Sequence, residues 1–217
     1  MFSGPGPHPQ KVEVTEHDPD SLARVGGWLF KKRSSLPLPI VALLLVVPPG
    51  WFGLSFSTPL APLGVPVVLA GELLRLWGVH HIGVISRTRS DRLGPLIDTG
   101  PFSLVRNPLY LGNILLWVGF ALSARLAWLA PAILVLLGLE YHAIVRWEEQ
   151  LLTRRLGPPY VDYTRRVPRW VPTLAAPKAL TGAASFSWAE TLRSERGTLI
   201  AIVAGYALLA LKSQYWG

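Results

Sequence analysis

Five long apolar runs, separated by short connections, constrain the fold of this chain more than any other feature. They cover roughly residues 36–57, 60–80, 108–124, 126–147 and 197–211. A run of about 20 apolar residues crosses a bilayer as a helix, because hydrocarbon offers the backbone no other hydrogen-bond partners. The last run, GTLIAIVAGYALLAL, is shorter, but Arg196 and Lys212 bound it and Trp188 and Trp216 are placed to mark its interfaces. Pro48 and Pro49 predict a kinked or interrupted first span. The expectation is an all-α polytopic membrane protein with about five transmembrane helices. Half of the 217 residues are hydrophobic, which excludes an ordinary soluble domain of this size.

The net charge of +8 would suggest nucleic acid in a soluble protein. Here the basic residues flank apolar runs, so orientation and anionic lipid explain them better. Residues 1–35 carry five Lys or Arg, 48–59 none, 81–107 four, 122–127 only Arg125, and 146–196 nine. This alternation predicts a cytoplasmic N-terminus, 81–107 loop and 146–196 segment, in a bacterial inner membrane. With no cysteine, the chain has no disulfide, thiolate or Cys-metal chemistry. No His and carboxylate spacing makes a metal site. The segment MFSGPGPHPQ lacks the basic-then-apolar order of a cleaved signal peptide.

Three regions follow. Residues 1–35 form a mobile, Gly- and Pro-rich N-terminus and the segment SLARVGGWLFKKR, either an interfacial helix or a plain juxtamembrane anchor. Residues 36–176 form the membrane core. Residues 177–217 form an extension with an additional membrane helix, whose small residues Gly197, Ala201, Ala204, Gly205 and Ala207 suit packing or assembly rather than chemistry. Either a monomer or an oligomer is compatible with this pattern.

The stretch TGPFSLVRNPLYLG, residues 99–112, carries the first candidate site. Pro108 suits the first position of a helix and Asn107 its N-cap. Arg106 beside that helix N-terminus makes either an anion site for a carboxylate or phosphate, or a helix start with a snorkelling Arg. Glu148 and Glu149 lie near the end of the fourth run, where carboxylates oppose the helix dipole and call for a positive partner. His142, Arg146 and Glu149 share one helical stripe and form the candidate catalytic group. Within the spans, Glu72 and Arg75 are mutual partners at i and i+3, and Arg75 could reach Glu140 across helices. Glu140 should be protonated, paired or face a wet cavity. His80 and His81 either line a polar pocket or lie at the surface.

Residues 71–171 resemble the isoprenylcysteine carboxyl methyltransferase and phospholipid methyltransferase family of integral membrane enzymes. The matching motifs are T-G-P-F-x-x-x-R-N-P-L-Y-L-G (99–112), E-E-Q-L-L (148–152), G-P-P-Y-V-D-Y (157–163) and V-P-R-W-V-P (167–172). Asn107 stands where the carboxyl methyltransferases have His, and Phe102 where Tyr is frequent. The resemblance implies S-adenosylmethionine as cofactor, bound without a Gly-rich phosphate loop. It implies contacts from Leu96, Ile97, Phe102, Asn107, Pro108, Leu109, Tyr110 and Glu148, to which the charge pattern adds Arg106. The expected acceptor is lipid-like: isoprenoid, prenylcysteine-like or a phospholipid amine. The expected partners are the bilayer and this acceptor, not nucleic acid. Two other readings fit the same residues, an NADPH-dependent membrane reductase and a non-catalytic lipid-binding membrane protein.

Overall fold

The computed structural model describes residues 21–33, 35–49, 57–83, 95–173 and 184–216. The described residues form helices and turns. Eight α-helices follow in order: α1 Ser21–Lys32, α2 Leu38–Val46, α3 Ser57–Leu60, α4 Gly64–Ile82, α5 Pro108–Ser123, α6 Leu129–Leu156, α7 Pro158–Arg166 and α8 Trp188–Trp216. Three stretches, Thr58–Ile82, Leu129–Leu156 and Trp188–Trp216, are long and apolar enough to cross a membrane. The 16-residue α5 is a shorter apolar helix. The all-α membrane expectation therefore holds, with three such spans among the described residues. The first expected span is seen as the nine-residue α2, and residues 50–56 lie outside the described residues.

Glycine spacing sets the central helix pair. Gly64, Gly71 and Gly78 recur every seven residues on α4, and Gly112 and Gly119 do so on α5. A seven-residue repeat keeps one face toward a partner helix, and small residues let the backbones close in. A Cβ on Gly71 would stand 2.8 Å from the Gly112 carbonyl, and one on Gly119 would stand 2.8 Å from that of Gly64. Gly64 meets Ser123 while Gly78 meets Leu109, so α4 and α5 run antiparallel.

α6 forms the other half of the core. Ile133, Leu137, Tyr141 and Ile144 are buried along one face, with Ile40 and Leu44 of α2 and Ile114 of α5 in the same cluster. Leu134, Val135, Leu136 and Leu139 point outward, as a lipid-facing stripe should. The amphipathic α1 packs parallel to α6: a Cβ on Gly26 would strike the Ala143 carbonyl, and Phe30 lies 4.9 Å from Trp147. The segment 21–33 is thus a helix docked on the core. At 28 residues α6 is about 42 Å long, which exceeds the hydrocarbon thickness and carries its last turns beyond it. Gly157 then turns the chain with φ +62°, a conformation that favours glycine, and Pro158 opens α7.

α8 is longer than the expected 197–211 span, because the polar turns before it are helical too. It runs antiparallel to α4, with Thr191 on His80 and Glu195 on Arg75. Its buried residues are Thr191, Glu195 and Lys212, all polar, while Ile200, Val203, Leu208 and Leu211 face outward.

Candidate active site

The start of α5 is held by the Pro-rich segment that follows α7. Arg106 N–H donates to the Pro168 carbonyl at 2.9 Å, and Thr173 N–H donates to the Leu104 carbonyl at 2.9 Å. Tyr163 donates its hydroxyl to the Phe102 carbonyl at 2.8 Å. Pro108 occupies the first turn of α5 as expected, but Asn107 does not cap it with its side chain. Its Nδ2 donates to the Arg169 carbonyl at 3.1 Å instead. The laced segment presents that acceptor, and the amide that would have turned inward to cap the helix turns outward to it.

The adjacent carboxylates Glu148 and Glu149 have opposite surroundings. Successive residues on a helix point about 100° apart, so each meets a different wall. Glu149 lies between two guanidiniums: Arg106 Nη1 at 2.8 Å, and Arg169 through Nη2 at 2.6 Å and Nε at 3.0 Å. The Glu149 carboxylate raises the Arg169 pKa by this hydrogen bonding. Glu148 instead accepts from the Tyr110 hydroxyl at 2.9 Å. Beneath this layer, burial pushes the Tyr160 and Tyr163 phenols above the ordinary tyrosine range. They pack with Val167 and with Leu96, Leu152 and Leu156. Arg106 Nε is buried without a hydrogen-bond partner among the described residues.

These groups enclose a cavity of about 350 Å³, within the range of small-molecule sites. Leu96, Ile97, Phe102, Arg106, Asn107, Pro108, Leu109, Tyr110 and Glu148, the nine expected cofactor contacts, all line it, and so does Glu149. His142 and Arg146 do not line it. The His142 ring instead accepts from Trp170 Nε1 of the Pro-rich segment at 3.4 Å. Phe30, Arg33, Trp147, Asn113, Tyr160 and Glu195 also line the cavity, and sequence reasoning gave none of them a role. Arg33 sits 4.1 Å over the Phe30 ring. For Asn113 a signal existed: it lies three residues after Tyr110, on the same helical face. Phe30, Arg33 and Glu195 come from helices outside the matched motifs, and no local pattern points to them.

Arg75 does not reach Glu140. Its Nη1 donates to Asn113 Oδ1 at 2.5 Å and its Nη2 to Glu195 Oε2 at 2.5 Å, and Glu72 lies 3.7 Å from its Nε. The side chain passes over Gly112, where a Cβ would stand 2.5 Å from Arg75 Cγ, and this steers it toward α8 rather than α6. Glu140 Oε1 has no hydrogen-bond partner among the described residues. The two histidines are built into a corner: His80 stacks on Trp188 at 4.1 Å, and His81 Nδ1 lies 3.1 Å from Thr99 Oγ1. No three His, Asp or Glu among the described residues could hold a metal ion.

A bundle of membrane helices with a mixed polar and apolar cavity at one end, built from helix termini, defines an integral membrane protein with a small-molecule site. Comparison with known proteins gives the particular family. The model of the phospholipid methyltransferase family matches residues 60–158. The nickel-cobalt-cadmium resistance protein NccN of Alcaligenes xylosoxydans xylosoxydans is 30% identical over 169 residues, 78% of this chain and 71% of that protein. The cobalt-zinc-cadmium resistance protein CzcN of Cupriavidus metallidurans is 29% identical over 136 residues, 63% of this chain and 60% of that protein. Protein-S-isoprenylcysteine O-methyltransferase B of Arabidopsis thaliana is 26% identical over 157 residues, 70% of this chain and 80% of that protein. No solved structure matches. The chain belongs to the isoprenylcysteine carboxyl methyltransferase and phospholipid methyltransferase family, and is a membrane methyltransferase.

Proposed function

We propose that this protein uses S-adenosylmethionine to methylate a lipid-like acceptor, with the cofactor held in the cavity between α4, α5, α6 and α7. The carrying observation is that groups of both charge types line one cavity. The positive ones are the N-terminus of α5, uncapped by the Asn107 side chain, and Arg106, whose buried Nε has no hydrogen-bond partner among the described residues. The negative group is Glu148, which accepts from the Tyr110 hydroxyl. An amino acid moiety fits such a pair, its carboxylate toward the helix N-terminus and Arg106, its ammonium toward Glu148. S-adenosylmethionine supplies a methyl group on a sulfonium, which an in-line acceptor lone pair displaces. The chain itself supplies alignment and a dry wall. Tyr110, Phe30 and Trp147 offer aromatic faces to cationic and ring groups.

Of the candidate catalytic residues, Glu149 acts here as a positioning group that fixes Arg106. Arg146 and His142 do not line the cavity and are given no contact with the reacting groups in this reading. The cavity faces the cytoplasm in this reading, which the Lys and Arg distribution supports. The basic residues of the 154–169 run do not line the cavity, whereas Arg33, Arg75 and Arg106 do, so direct binding measurements decide between the methyl donor and NADPH.

Calorimetry of the purified protein with S-adenosylhomocysteine and, separately, with NADPH tests the proposal. Binding of the first and not the second is expected, and the reverse result refutes it. Transfer of label from methyl-labelled donor to native membrane lipids then isolates the acceptor. Single cysteines at Ser90 and Ser55, both outside the described residues, test orientation. An impermeant thiol reagent applied to intact cells should reach the second and not the first.

A further inference from the structure

α1 ends in Lys31 and Lys32, which are exposed, and Arg33 follows, half-buried and lining the cavity. Basic side chains at a membrane surface ordinarily snorkel outward, because water solvates the charge. Here two do so and the third turns in. Its guanidinium lies 4.1 Å over the Phe30 ring, and Phe30 lies 4.9 Å from Trp147. Close docking of α1 on α6 fixes this wall: a Cβ on Gly27 would stand 2.9 Å from Trp147 Nε1. α1 and Arg33 precede residues 60–158 of the family match, so that match assigns them nothing.

Among the described residues, three arginines and three glutamates line the cavity. Arg75 donates to Glu195, and Arg106 pairs with Glu149, which Arg169 also holds. Arg33 forms no ion pair with a described carboxylate, although its charge reaches Glu148 and Tyr110. In the cofactor reading Glu148 meets the ammonium of the methyl donor, which leaves Arg33 for a different group. Charge balance points the same way. The lining charges cancel, whereas S-adenosylmethionine carries one net positive charge, since its carboxylate and ammonium cancel and the sulfonium remains. The loaded cavity would then be one charge positive, and an unbalanced charge is costly where water is scarce. One anionic group at Arg33 restores the balance. A guanidinium whose face lies on an aromatic ring still presents its N–H edge, and that edge matches a carboxylate or phosphate in bidentate geometry.

We infer that Arg33 is a specificity-determining residue that holds a monoanionic headgroup of the acceptor, a carboxylate or a phosphodiester, with the adjoining carbons on Phe30 and Trp147. This rests on the methyltransferase reading of the same cavity. It gives α1, a helix outside the family match, a part in choosing the substrate.

The test uses the full-length protein in a non-ionic detergent, saturated with sinefungin, a donor analogue in which an ammonium stands in for the sulfonium. The probes are N-dodecanoylglycine, its uncharged amide and lysophosphatidylglycerol. The readout is the concentration of each that raises the unfolding midpoint. At least one anion should act at a concentration about tenfold below that of the amide, and the more potent of the two tells carboxylate from phosphodiester. Arg33→Gln should erase this preference while sinefungin affinity stays within about twofold. Arg33→Met, whose straight chain still covers Phe30, should do the same and serves if the first variant does not fold. Lys32→Gln removes a neighbouring exposed charge and should leave the preference intact. Equal response of the wild type to all three probes overturns the inference, as does a preference that survives in a folded Arg33 variant. Equal loss in Lys32→Gln overturns it too, because the preference would then come from surface charge. A fall of more than about tenfold in sinefungin affinity in the Arg33 variants would assign Arg33 to the cofactor and likewise overturn it. Failure of the wild type to bind either sinefungin or S-adenosylhomocysteine is a separate result, and it overturns the methyltransferase reading instead.

Discussion

The neighbouring carboxylates Glu148 and Glu149 differ by one position, and the structure gives them separable consequences. Glu148→Gln keeps an oxygen for the Tyr110 hydroxyl, which now donates at 2.9 Å, so its cost in stability is about 0.5–1.5 kcal/mol. Its charge is what faces a ligand cation. Loss of one charge-assisted hydrogen bond, about 1.5–3 kcal/mol, should weaken S-adenosylhomocysteine binding tenfold to about a hundredfold. Glu149→Gln acts the other way. Its side chain is 16% exposed and that of Arg106 12%, so the pair is largely shielded from water. Removing one partner of a buried pair costs about 3–5 kcal/mol, because the other charge is left uncompensated. Arg169 is 28% exposed and recovers part of its loss from water, which places the expected cost near the lower end. At about 2–4 °C per kcal/mol, the unfolding midpoint should fall on the order of 10 °C. Calorimetry and thermal unfolding on the same detergent samples read both effects. A folded Glu148→Gln variant with wild-type affinity would refute the reasoning, since Glu148 would then face no ligand cation.

Four further outcomes follow from single contacts. Asn107→Asp keeps an N-cap residue but cannot donate to the Arg169 carbonyl, so it should be less stable than Asn107→Ala, which loses about 1 kcal/mol; thermal unfolding ranks the two, and rescue by Asp would restore the cap reading. Lys212 Nζ donates to the Leu44 carbonyl at 2.6 Å, a group whose helical donor would be Pro48, which has no N–H; Lys212→Met should therefore cost about 1–3 kcal/mol and speed hydrogen exchange near the end of α2. Gly26→Leu should cost about 1–3 kcal/mol by forcing α1 off the Ala143 carbonyl, whereas Gly138→Ala, which meets nothing within 4 Å, should be neutral or stabilising by up to about 1 kcal/mol in the same assay. Tyr160 and Tyr163 hold their protons above the ordinary tyrosine value near 10; the unfolded chain releases them first, so stability should fall as pH rises past about 10, and phenolate absorbance from these two should appear only with unfolding.

Much of this protein is legible in one dimension. Apolar runs and their basic flanks determine that the chain is helical and membrane-embedded, because an unpaired backbone is intolerable in hydrocarbon. Pro108 marks the start of α5, since proline lacks the N–H that a first turn cannot use. The motifs around Arg106, Tyr110 and Glu148 name residues that the fold gathers around one cavity. Local spacing reports only what lies along one helix, however. It correctly pairs Glu72 with Arg75 at 3.7 Å, but the closer partner, Glu195, lies 120 residues away on α8. Nothing local distinguishes Glu195 from Glu140 as the partner across helices. That choice falls to the close approach of α4 and α5 at Gly71 and Gly112, which turns Arg75 toward α8. The same holds for the split between Glu148 and Glu149 and for the inverted role of Asn107. In each case the sequence supplies a charge or a donor, and the partner comes from a segment whose position depends on how helices and the 167–173 strap pack. Backbone preference and hydrophobicity act locally and are written in order along the chain; pairing of buried polar groups acts through space, and only the assembled structure decides it.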